Sequence, residues 1–400
     1  MTTSSASEVA ERAARESYGR LLAALAAATH DVAAAEDALG DAFERALRRW
    51  PADGVPTDPD AWLLTVARNR QRDLWRSAAF RTAVPFDELT HDGVAPDGIV
   101  SPLRDRRLEL LLVCAHPAIS AGVHAPLMLN TVLGYTAEQI GRAFAIPTST
   151  MAARLVRAKR RIKERALPFL VPSGDEVGRR VAPVLESVWA AFSIEWPTVP
   201  RERRALLLGL ARVISEVLRD DAEAHGLVAA MELSSARLPA RTDDDGNFVP
   251  LSEQDPARWD ADLIADAHGH LREAHRLRSI GRFQLEAAIG AVHCARLPGR
   301  PPDWDVLRRL HESLQAMAPT LGGAVALAAV VAETDGPAAA LARLDSVAGV
   351  HRFQPAWVTR AHLLERLGRD DESSAAYAKA IDLTTDTTER AYLTRRRAGL

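Results

Sequence analysis

The chain has 400 residues, of which 47% are hydrophobic and only 5% aromatic, and its formal net charge is −3. Alanine and leucine supply most of the apolar side chains, so the composition predicts an all-helical protein of roughly two to four domains. Two cysteines are too few for a disulfide framework, and the sequence shows no apolar leader and no long apolar run. These features exclude a disulfide-stabilised secreted domain and a membrane-spanning protein, and we expect a cytoplasmic one.

Four segments are expected along the chain. Helical residues 10–82 come first, a linker rich in Pro, Gly and Asp follows at 83–104, a second helical domain occupies 105–168, and a helical extension covers 173–400. Residues 1–172 carry 22 basic and 20 acidic side chains, whereas the remaining residues carry 28 and 33. A nucleic-acid surface is therefore expected in the first part, because the mildly acidic extension would repel phosphates.

The first helical domain contains a strongly amphipathic segment from Asp31 to Trp50. Apolar residues recur every three or four positions and predict one buried stripe. Asp37, Asp41 and Glu44 lie on the opposite side and form an acidic strip that faces solvent. Taken alone, such a strip is usually no more than a hydrated helix face.

The next helix is predicted to be capped by Asp58, with Pro59 at its first position, and to continue through AWLLTVARNRQRDLWRS. Its exposed side repeats arginine at every fourth residue, with polar side chains between. The candidate DNA contacts of this helix are Trp62, Arg68, Asn69, Arg72, Asp73 and Arg76. Arginine rows bind phosphates and asparagine amides pair with base edges, so the pattern favours a nucleic-acid surface.

Residues 135–165 predict a helix-turn-helix, in which a turn at Pro147 separates a short helix from a longer basic one. Gly141 would allow the two helices to approach closely, and Thr148 is expected to cap the second helix. Residues 142–165 hold eight basic side chains and one acidic side chain, which is typical of a surface that binds the phosphate backbone. Spacing and charge together favour this interpretation over a solvated basic helix in a bundle.

The last part of the extension has a repeat-like layout. Residues 324–347 and 355–383 each predict two short helices around a turn, with residues at tetratricopeptide-like positions. Because only two such units are visible, a true repeat array and a pair of ordinary helical hairpins are both open.

The sequence favours neither a metal site nor catalysis. Cys114 and His116 lack further ligands at a spacing that zinc requires, so no metal and no other cofactor is expected. Residues 173–400 contain no glycine-rich phosphate loop, nucleophile elbow or HExxH motif. We therefore expect a binding protein and not an enzyme.

These segments resemble the sigma-70-type RNA polymerase sigma factors of the extracytoplasmic-function class. AEDALGDAFERALRRW followed by DPDAWLLTVARNR looks like region 2 of that class, and TAEQIGRAFAIPTSTMAARLVRAKRRI looks like region 4. VCAHPAIS, DDDGNFVPLSEQDPARWD, RFQLEAAIGAVH and VAETDGPAAALARLD resemble the subgroup with a fused tetratricopeptide-like helical extension. The resemblance covers nearly the whole chain.

The resemblance implies binding to core RNA polymerase and recognition of the −10 and −35 elements of promoter DNA. The acidic strip of region 2 would meet the β′ clamp helices, and region 4 would meet the β flap. The 51–60 loop and Asn69 would hold a flipped base of the −10 element, while the arginine row would follow the strand backbone. The −35 candidates in region 4 are Thr148, Ser149, Thr150, Ala153, Arg154, Arg157, Arg160 and Arg161.

Two departures from the family pattern and two alternative functions accompany this interpretation. Gly40 stands where glutamine is common in the polymerase-binding helix, and FSIEW at 192–196 replaces an Asn-Glu-Gly-Tyr-like sequence.

A stand-alone helix-turn-helix regulator with a helical sensor domain is the main alternative function, and an interaction scaffold is the second. The extension is expected to bind a protein or peptide partner, and the short apolar junction 168–172 predicts that it docks against region 4.

Overall fold

The computed structural model describes residues 5–82, 105–144, 146–173, 175–194, 201–295 and 301–400. Every regular element within these ranges is helical, apart from an isolated antiparallel bridge between Thr242 and Phe248. The predicted all-helical class is therefore confirmed. The predicted linker 83–104 and part of the FSIEW segment lie outside the described residues. Within the described ranges, none of the helices combines the length and the apolar character that crossing a bilayer requires.

The chain divides into two compact units between Val213 and Ile214. The helices that begin in the first unit are α1 (Ala6–Glu16), α2 (Tyr18–Thr29), α3 (Val32–Asp53), α4 (Pro59–Thr82), α5 (Arg107–Cys114), α6 (Ala121–Thr131), α7 (Ala137–Ala143), α8 (Thr148–Glu164), α9 (Asp175–Ile194) and α10 (Arg201–Val217). Short polar side chains fix several of these starts. Asp31 accepts a hydrogen bond from the Ala34 amide at 3.0 Å, and Asp58 accepts one from the Ala61 amide at 2.9 Å.

The core of the first unit is built around α2, in which all seven residues from 21 to 27 are buried. A helix that is apolar all round must lie between other helices. Helix α2 packs against α3 and also against α5, whose eight residues are all buried. The two helical segments on either side of residues 83–104 therefore share one core.

Helix α9, at the start of the extension, also belongs to this core. It packs against α5 and α6, and the Tyr135 hydroxyl donates a hydrogen bond to the Ala191 carbonyl at 3.2 Å. Arg203 of α10 donates to the Leu133 carbonyl at 2.9 Å, with its guanidinium 4.2 Å from the centre of the Tyr135 ring. The first two helices of the extension thus help to form the first unit.

The second unit contains the remaining helices: α11 (Ala222–Ala236), α12 (Ala261–Arg276), α13 (Arg282–Cys294), α14 (Trp304–Met317), α15 (Leu321–Thr334), α16 (Pro337–Asp345), α17 (Gln354–Arg366), α18 (Asp370–Leu383) and α19 (Thr387–Ala398). Helix α11 is central and packs against both α12 and α13. Gly226 permits the approach of α13, because a Cβ at this position would lie 2.7 Å from the Gln284 amide nitrogen.

The two repeat-like segments fold as the predicted helical hairpins, α15–α16 and α17–α18. Leu364, Tyr377 and Ala380 are buried in their shared core, and Trp357 packs at its edge. Leu393 of α19 joins the same core. The terminal helix is therefore an integral part of the second unit.

Candidate nucleic-acid interface

Helices α7 and α8 form the helix-turn-helix that the sequence predicts. Helix α7 begins with a reciprocal capping pair, in which Thr136 accepts from the Gln139 amide at 3.2 Å and Gln139 accepts from the Thr136 amide at 2.9 Å. The Ile146 amide donates to the Gly141 carbonyl at 2.8 Å, and this bond folds the turn back over α7. A Cβ on residue 141 would lie 2.7 Å from the Ile146 carbonyl oxygen, so the close approach does require glycine.

The expected capping role of Thr148 is wrong. Pro147 occupies the N-cap of α8 and no side chain accepts a hydrogen bond there, while Thr148 is the first helical residue. Pro147 fixes the extended backbone before the helix and cannot itself donate or accept through a side chain. The first amides of α8 are consequently left available to an external acceptor such as a phosphate.

The two sides of α8 differ sharply. Met151, Leu155, Ala158 and Ile162 are buried against the rest of the first unit. The eight −35 candidates lie elsewhere on the helix; seven are exposed and Arg154 is half-buried. Arg160 pairs with Glu164 at 3.4 Å on the surface, whereas Arg154 and Arg157 form no ion pair with any described residue. Cations without an internal partner are available to a phosphate or a guanine edge.

The arginine row of α4 is exposed as predicted. Arg68, Arg72 and Arg76 all face solvent, together with Asn69 and Asp73. Arg72 donates to the Asn69 side-chain oxygen at 3.4 Å. Burial and the nearby Arg72 charge lower the pKa of Arg68, which places these two cations close together. The α4 surface therefore concentrates positive charge around one amide side chain.

Trp62, the remaining α4 candidate, is half-buried and not on the arginine row. Its ring meets that of Trp50 edge-on, with centroids 5.5 Å apart and planes inclined by 66°. This packing fixes the start of α4 against the end of α3. The sequence predicts a DNA contact for Trp62, and the contact that the structure shows is its packing on Trp50.

The acidic strip of α3 is only partly unpaired. Asp41 accepts from Arg70 Nε at 2.6 Å, and Glu44 forms an ion pair with Arg48 one turn later. Asp37 is exposed and has no ion-pair partner among the described residues. Arg70, which the sequence motif did not single out, thus connects the polymerase-binding candidate on α3 to the DNA candidates on α4.

A second set of contacts joins α8 to α3, and no local sequence pattern indicates it. Lys159 donates to both Glu36 carboxylate oxygens, at 2.6 and 2.7 Å, and to the Asn130 side-chain oxygen at 2.7 Å. Lys163 pairs with Asp31 at 2.7 Å. Burial raises the pKa of Glu36, although the Lys159 ammonium opposes that shift. The two helices that carry the −35 and polymerase candidates are therefore held side by side.

A polar cavity of about 390 Å³ lies between the loop 243–253 and α19 of the second unit. Both of its arginines are hydrogen-bonded, since Arg396 donates to both carboxylate oxygens of Glu365, at 2.6 and 2.8 Å, and Arg395 donates to the Asn247 side-chain oxygen at 2.9 Å. Phe248 and Tyr392 close one side, with ring centroids 5.3 Å apart. Asp243 and Glu253 also line the cavity, so three carboxylates and two arginines face it.

Comparison with known proteins adds two matched families. Residues 14–81 match sigma-70 region 2, and residues 180–275 match a family of unknown function (DUF6596). The chain is 32% identical to an uncharacterised protein of Rhizobium meliloti over 378 residues, which are 90% of this chain and 88% of that protein. It is 33% identical to the ECF RNA polymerase sigma factor SigL of Mycobacterium tuberculosis over 138 residues, which are 34% of this chain and 76% of SigL. No solved structure matches the chain significantly.

Proposed function

The chain belongs to the extracytoplasmic-function class of sigma-70 factors, and we propose that it directs core RNA polymerase to promoters through surfaces on α3, α4 and α8. The observation that supports this division of labour is the pair of exposed basic surfaces on α4 and α8, together with the acidic strip of α3, which precedes both in the sequence. A factor of this kind guides initiation and performs no chemistry of its own.

The −35 element is assigned to α8. Arg154 and Arg157 are three residues apart and have no internal ion-pair partner among the described residues, so both are suited to guanine edges. A bidentate arginine–guanine contact contributes about 1–3 kcal/mol of base discrimination. Arg160 and Arg161, nearer the end of α8, are assigned to phosphates, which carry no sequence information.

Three single-residue variants test the −35 assignment. Arg154→Ala or Arg157→Ala is expected to reduce the preference for a matched over a scrambled −35 duplex, whereas Arg161→Ala weakens binding to both duplexes alike. Fluorescence anisotropy measures the affinities. The salt concentration is held fixed, because affinity for DNA falls with salt and the slope of that fall changes when a phosphate contact is lost. Equal loss of affinity for both duplexes in all three variants contradicts the assignment.

The −10 element is assigned to α4. Asn69 is an uncharged side chain within the arginine row, where an unstacked base can be recognised by its edge while arginines hold the strand. Asn69→Ala is expected to leave polymerase binding intact and to reduce opening of a duplex promoter. Permanganate reactivity of the −10 thymines measures opening, and a premelted promoter is the control because it bypasses the opening step. Unchanged reactivity on the duplex contradicts the assignment.

The acidic strip of α3 is assigned to the β′ clamp helices. Asp37 is the sharpest test, because it is exposed and has no ion-pair partner among the described residues, whereas Asp41 is bound to Arg70. Asp37→Lys is expected to weaken the complex with core polymerase, measured by fluorescence with labelled protein. Asp53→Lys makes the same charge change at the exposed end of α3 and is the control. Equal affinities of the two variants contradict the assignment.

The second unit is assigned a regulatory role through a protein or peptide partner. Its paired α-helices bury their apolar faces on one another, and the residues after 172 carry a slight excess of acidic side chains. Truncation after Val217, the end of α10, retains every helix of the first unit. We expect the truncated protein to bind core polymerase but to transcribe its promoter at a different rate. An unchanged rate and unchanged stability contradict a regulatory role.

Polymerase dependence separates this function from that of a stand-alone helix-turn-helix regulator. A sigma factor is expected to bind promoter DNA weakly alone and tightly with core polymerase, and to produce a run-off transcript of one defined start. A regulator binds its duplex tightly by itself and yields no such transcript.

A further inference from the structure

The loop between α11 and α12 contains a hairpin, residues 241–249, that is held by its own hydrogen bonds. The Val249 amide donates to the Arg241 carbonyl at 2.8 Å, and the Asp243 amide donates to the Asn247 carbonyl at 3.0 Å. The Asp243 side chain in turn accepts from the Asn247 amide at 2.7 Å. Because these bonds lie within the hairpin, its shape does not depend on the surface that it covers.

The hairpin covers α19 with an amide side chain and an aromatic ring. The Asn247 side-chain oxygen accepts from Arg395 at 2.9 Å, and Phe248 meets the Tyr392 ring edge-on, with centroids 5.3 Å apart. A polar cavity of about 390 Å³ remains between the two elements, and every residue from 241 to 253 is exposed or half-buried. A contact that buries so little apolar surface opens at a low free-energy cost compared with the core of the unit.

The surface of α19 beneath the hairpin carries a guanidinium that is not paired with a carboxylate. Arg395 donates to an amide oxygen and has no ion-pair partner among the described residues, whereas Arg396, next to it, is paired with Glu365. Hydrogen bonds from Asn247 lower the pKa of Asp243, and the Arg395 charge contributes to the same shift, so this carboxylate lies within electrostatic reach of Arg395. The hairpin therefore presents to α19 an acidic side chain and an aromatic ring together.

We infer, on the basis of the regulatory role proposed for the second unit, that this face of α19 is a docking site for an acidic, aromatic-containing segment of a partner protein, and that the hairpin occupies it until the partner displaces the hairpin. The hairpin shows the chemistry that fits, because three consecutive aspartates, 243–245, precede Phe248. An arginine beside an exposed tyrosine edge binds a carboxylate and an aromatic ring together. Nucleic acid fits less well, because the carboxylates of Glu253 and Glu365 face the same cavity and repel phosphates.

The attachment of the hairpin sets the affinity that a free segment needs. Arg241, at the base of the hairpin, pairs with Asp386 at the start of α19 at 3.9 Å, so the tip stays near its site even when it is undocked. A short tether of this kind gives an effective concentration on the order of 1 mM. A tip that is docked about nine-tenths of the time then implies a Kd of about 0.1 mM for a free peptide at the uncovered site, and about tenfold weaker binding while the tip is docked.

The probe is a synthetic peptide of residues 241–253, titrated to about 3 mM into the full-length protein and followed by microscale thermophoresis. Phe248→Ala uncovers the site from the hairpin side, because it removes the ring that meets Tyr392 and leaves α19 unchanged. Replacement of residues 242–248 by two glycines joins the paired residues on either side by a two-residue turn, and it provides a second uncovered protein should Phe248→Ala fail to fold.

Two arginine variants in the Phe248→Ala background locate the site. Arg395→Ala removes the guanidinium that meets the hairpin. Arg397→Ala is the matched control, because residues two positions apart on a helix do not share a face and Arg397 donates to Ser374 of α18 at 3.2 Å. A second peptide, in which asparagines replace the three aspartates, tests the need for acidic side chains.

We expect the uncovered proteins to bind the acidic peptide about tenfold more tightly than the parent protein does. Arg395→Ala should weaken that binding at least about fivefold, because a charge-assisted hydrogen bond is lost, and Arg397→Ala should leave it unchanged. No binding to the uncovered proteins at about 3 mM peptide, or equal affinities of these proteins and the parent, overturns the docking site. Equal binding of the asparagine peptide overturns the acidic chemistry of the partner.

A transcription assay separates failure of the docking site from failure of the proposed function. Saturating peptide is expected to change the initial rate of run-off transcription by Phe248→Ala with core polymerase, and to leave the rate of the variant that also carries Arg395→Ala unchanged. If the parent protein with core polymerase makes no promoter-specific transcript, the proposed function falls. The peptide affinities of the free proteins still decide whether α19 carries the docking site.

Discussion

Replacement of Gly141 by alanine tests how closely the helix-turn-helix is packed. A Cβ at this position meets the Ile146 carbonyl oxygen at 2.7 Å and the Thr148 Cα at 3.5 Å. The first atom is backbone, and its chain is already fixed by the 2.8 Å bond from the Ile146 amide to the Gly141 carbonyl. Relief of the overlap therefore requires the turn to move by about 0.7 Å away from α7.

The expected magnitude combines two opposing effects. Overpacking of this kind costs about 1–3 kcal/mol, and alanine is about 1 kcal/mol better than glycine within a helix. Gly141→Ala should therefore destabilise α7–α8 by about 1 kcal/mol. Gly40→Ala is the matched control, because Gly40 is exposed in the middle of α3 and its Cβ would meet nothing within 4 Å. That variant should stabilise the protein by about 0.5–1 kcal/mol.

Native-state hydrogen exchange is the appropriate assay, since it reports on α7–α8 separately from the other helices of a multi-domain chain. Gly141→Ala should accelerate exchange of the α8 amides and weaken binding of a −35 duplex, while Gly40→Ala slows exchange in α3. If Gly141→Ala stabilised the chain as Gly40→Ala does, with unchanged exchange in α8, the described close approach of the two helices would be incorrect.

Three further predictions concern single side chains. Glu223 of α11 accepts hydrogen bonds from two backbone amides at the start of α13, at 2.8 and 3.2 Å, in place of a local cap. Glu223→Ala should therefore lower the free energy of unfolding by about 1–2 kcal/mol, and Glu223→Gln should lower it less. Equal Tm values for the two variants and the parent protein contradict this capping role. His311 is buried, its Nδ1 has no hydrogen-bond partner among the described residues, and burial lowers its pKa, so stability should be lost as pH falls through about 6.5. His311→Leu should flatten the decrease of Tm between pH 7 and pH 5, and an unchanged slope assigns the decrease to other groups. Burial raises the pKa of the Cys114 thiol to about 12. A thiol reagent at pH 8 should therefore label the half-buried Cys294 and leave Cys114 unmodified until the protein unfolds. Rapid labelling of both thiols in the native protein contradicts the described burial.

Local features of the fold were predictable because their causes lie within a few residues. Asp31 and Asp58 mark helix starts by accepting from amides three residues later, and the spacing of apolar residues in α8 identifies the buried face. The need for glycine at position 141 follows from the short turn that succeeds it. Thr148 shows the limit of this reasoning, since Pro147 shifts the start of the helix by one residue and removes the expected cap.

Contacts between distant segments had no such signal. Glu36 and Lys159 are separated by 123 residues, and each alone fits a hydrated helix face. Glu223 caps a helix that begins about sixty residues later, because Gly281 at the N-cap of that helix has no side chain to do so. Periodicity indicates which face of a helix is buried, but it does not identify the helix that covers it.

The position of the boundary between the two compact units decides how truncation experiments are designed. Proline residues and a change of charge placed it near residue 172, whereas the compact units divide between Val213 and Ile214. Helices α9 and α10 both begin after residue 172. Helix α9 packs on α5 and α6, and Arg203 of α10 donates a hydrogen bond to the Leu133 carbonyl, just after α6. Truncation after Val171 therefore removes part of the first unit, and any loss of transcription that it causes reports damage to the first unit together with loss of the second. Only a truncation beyond α10 tests the second unit by itself.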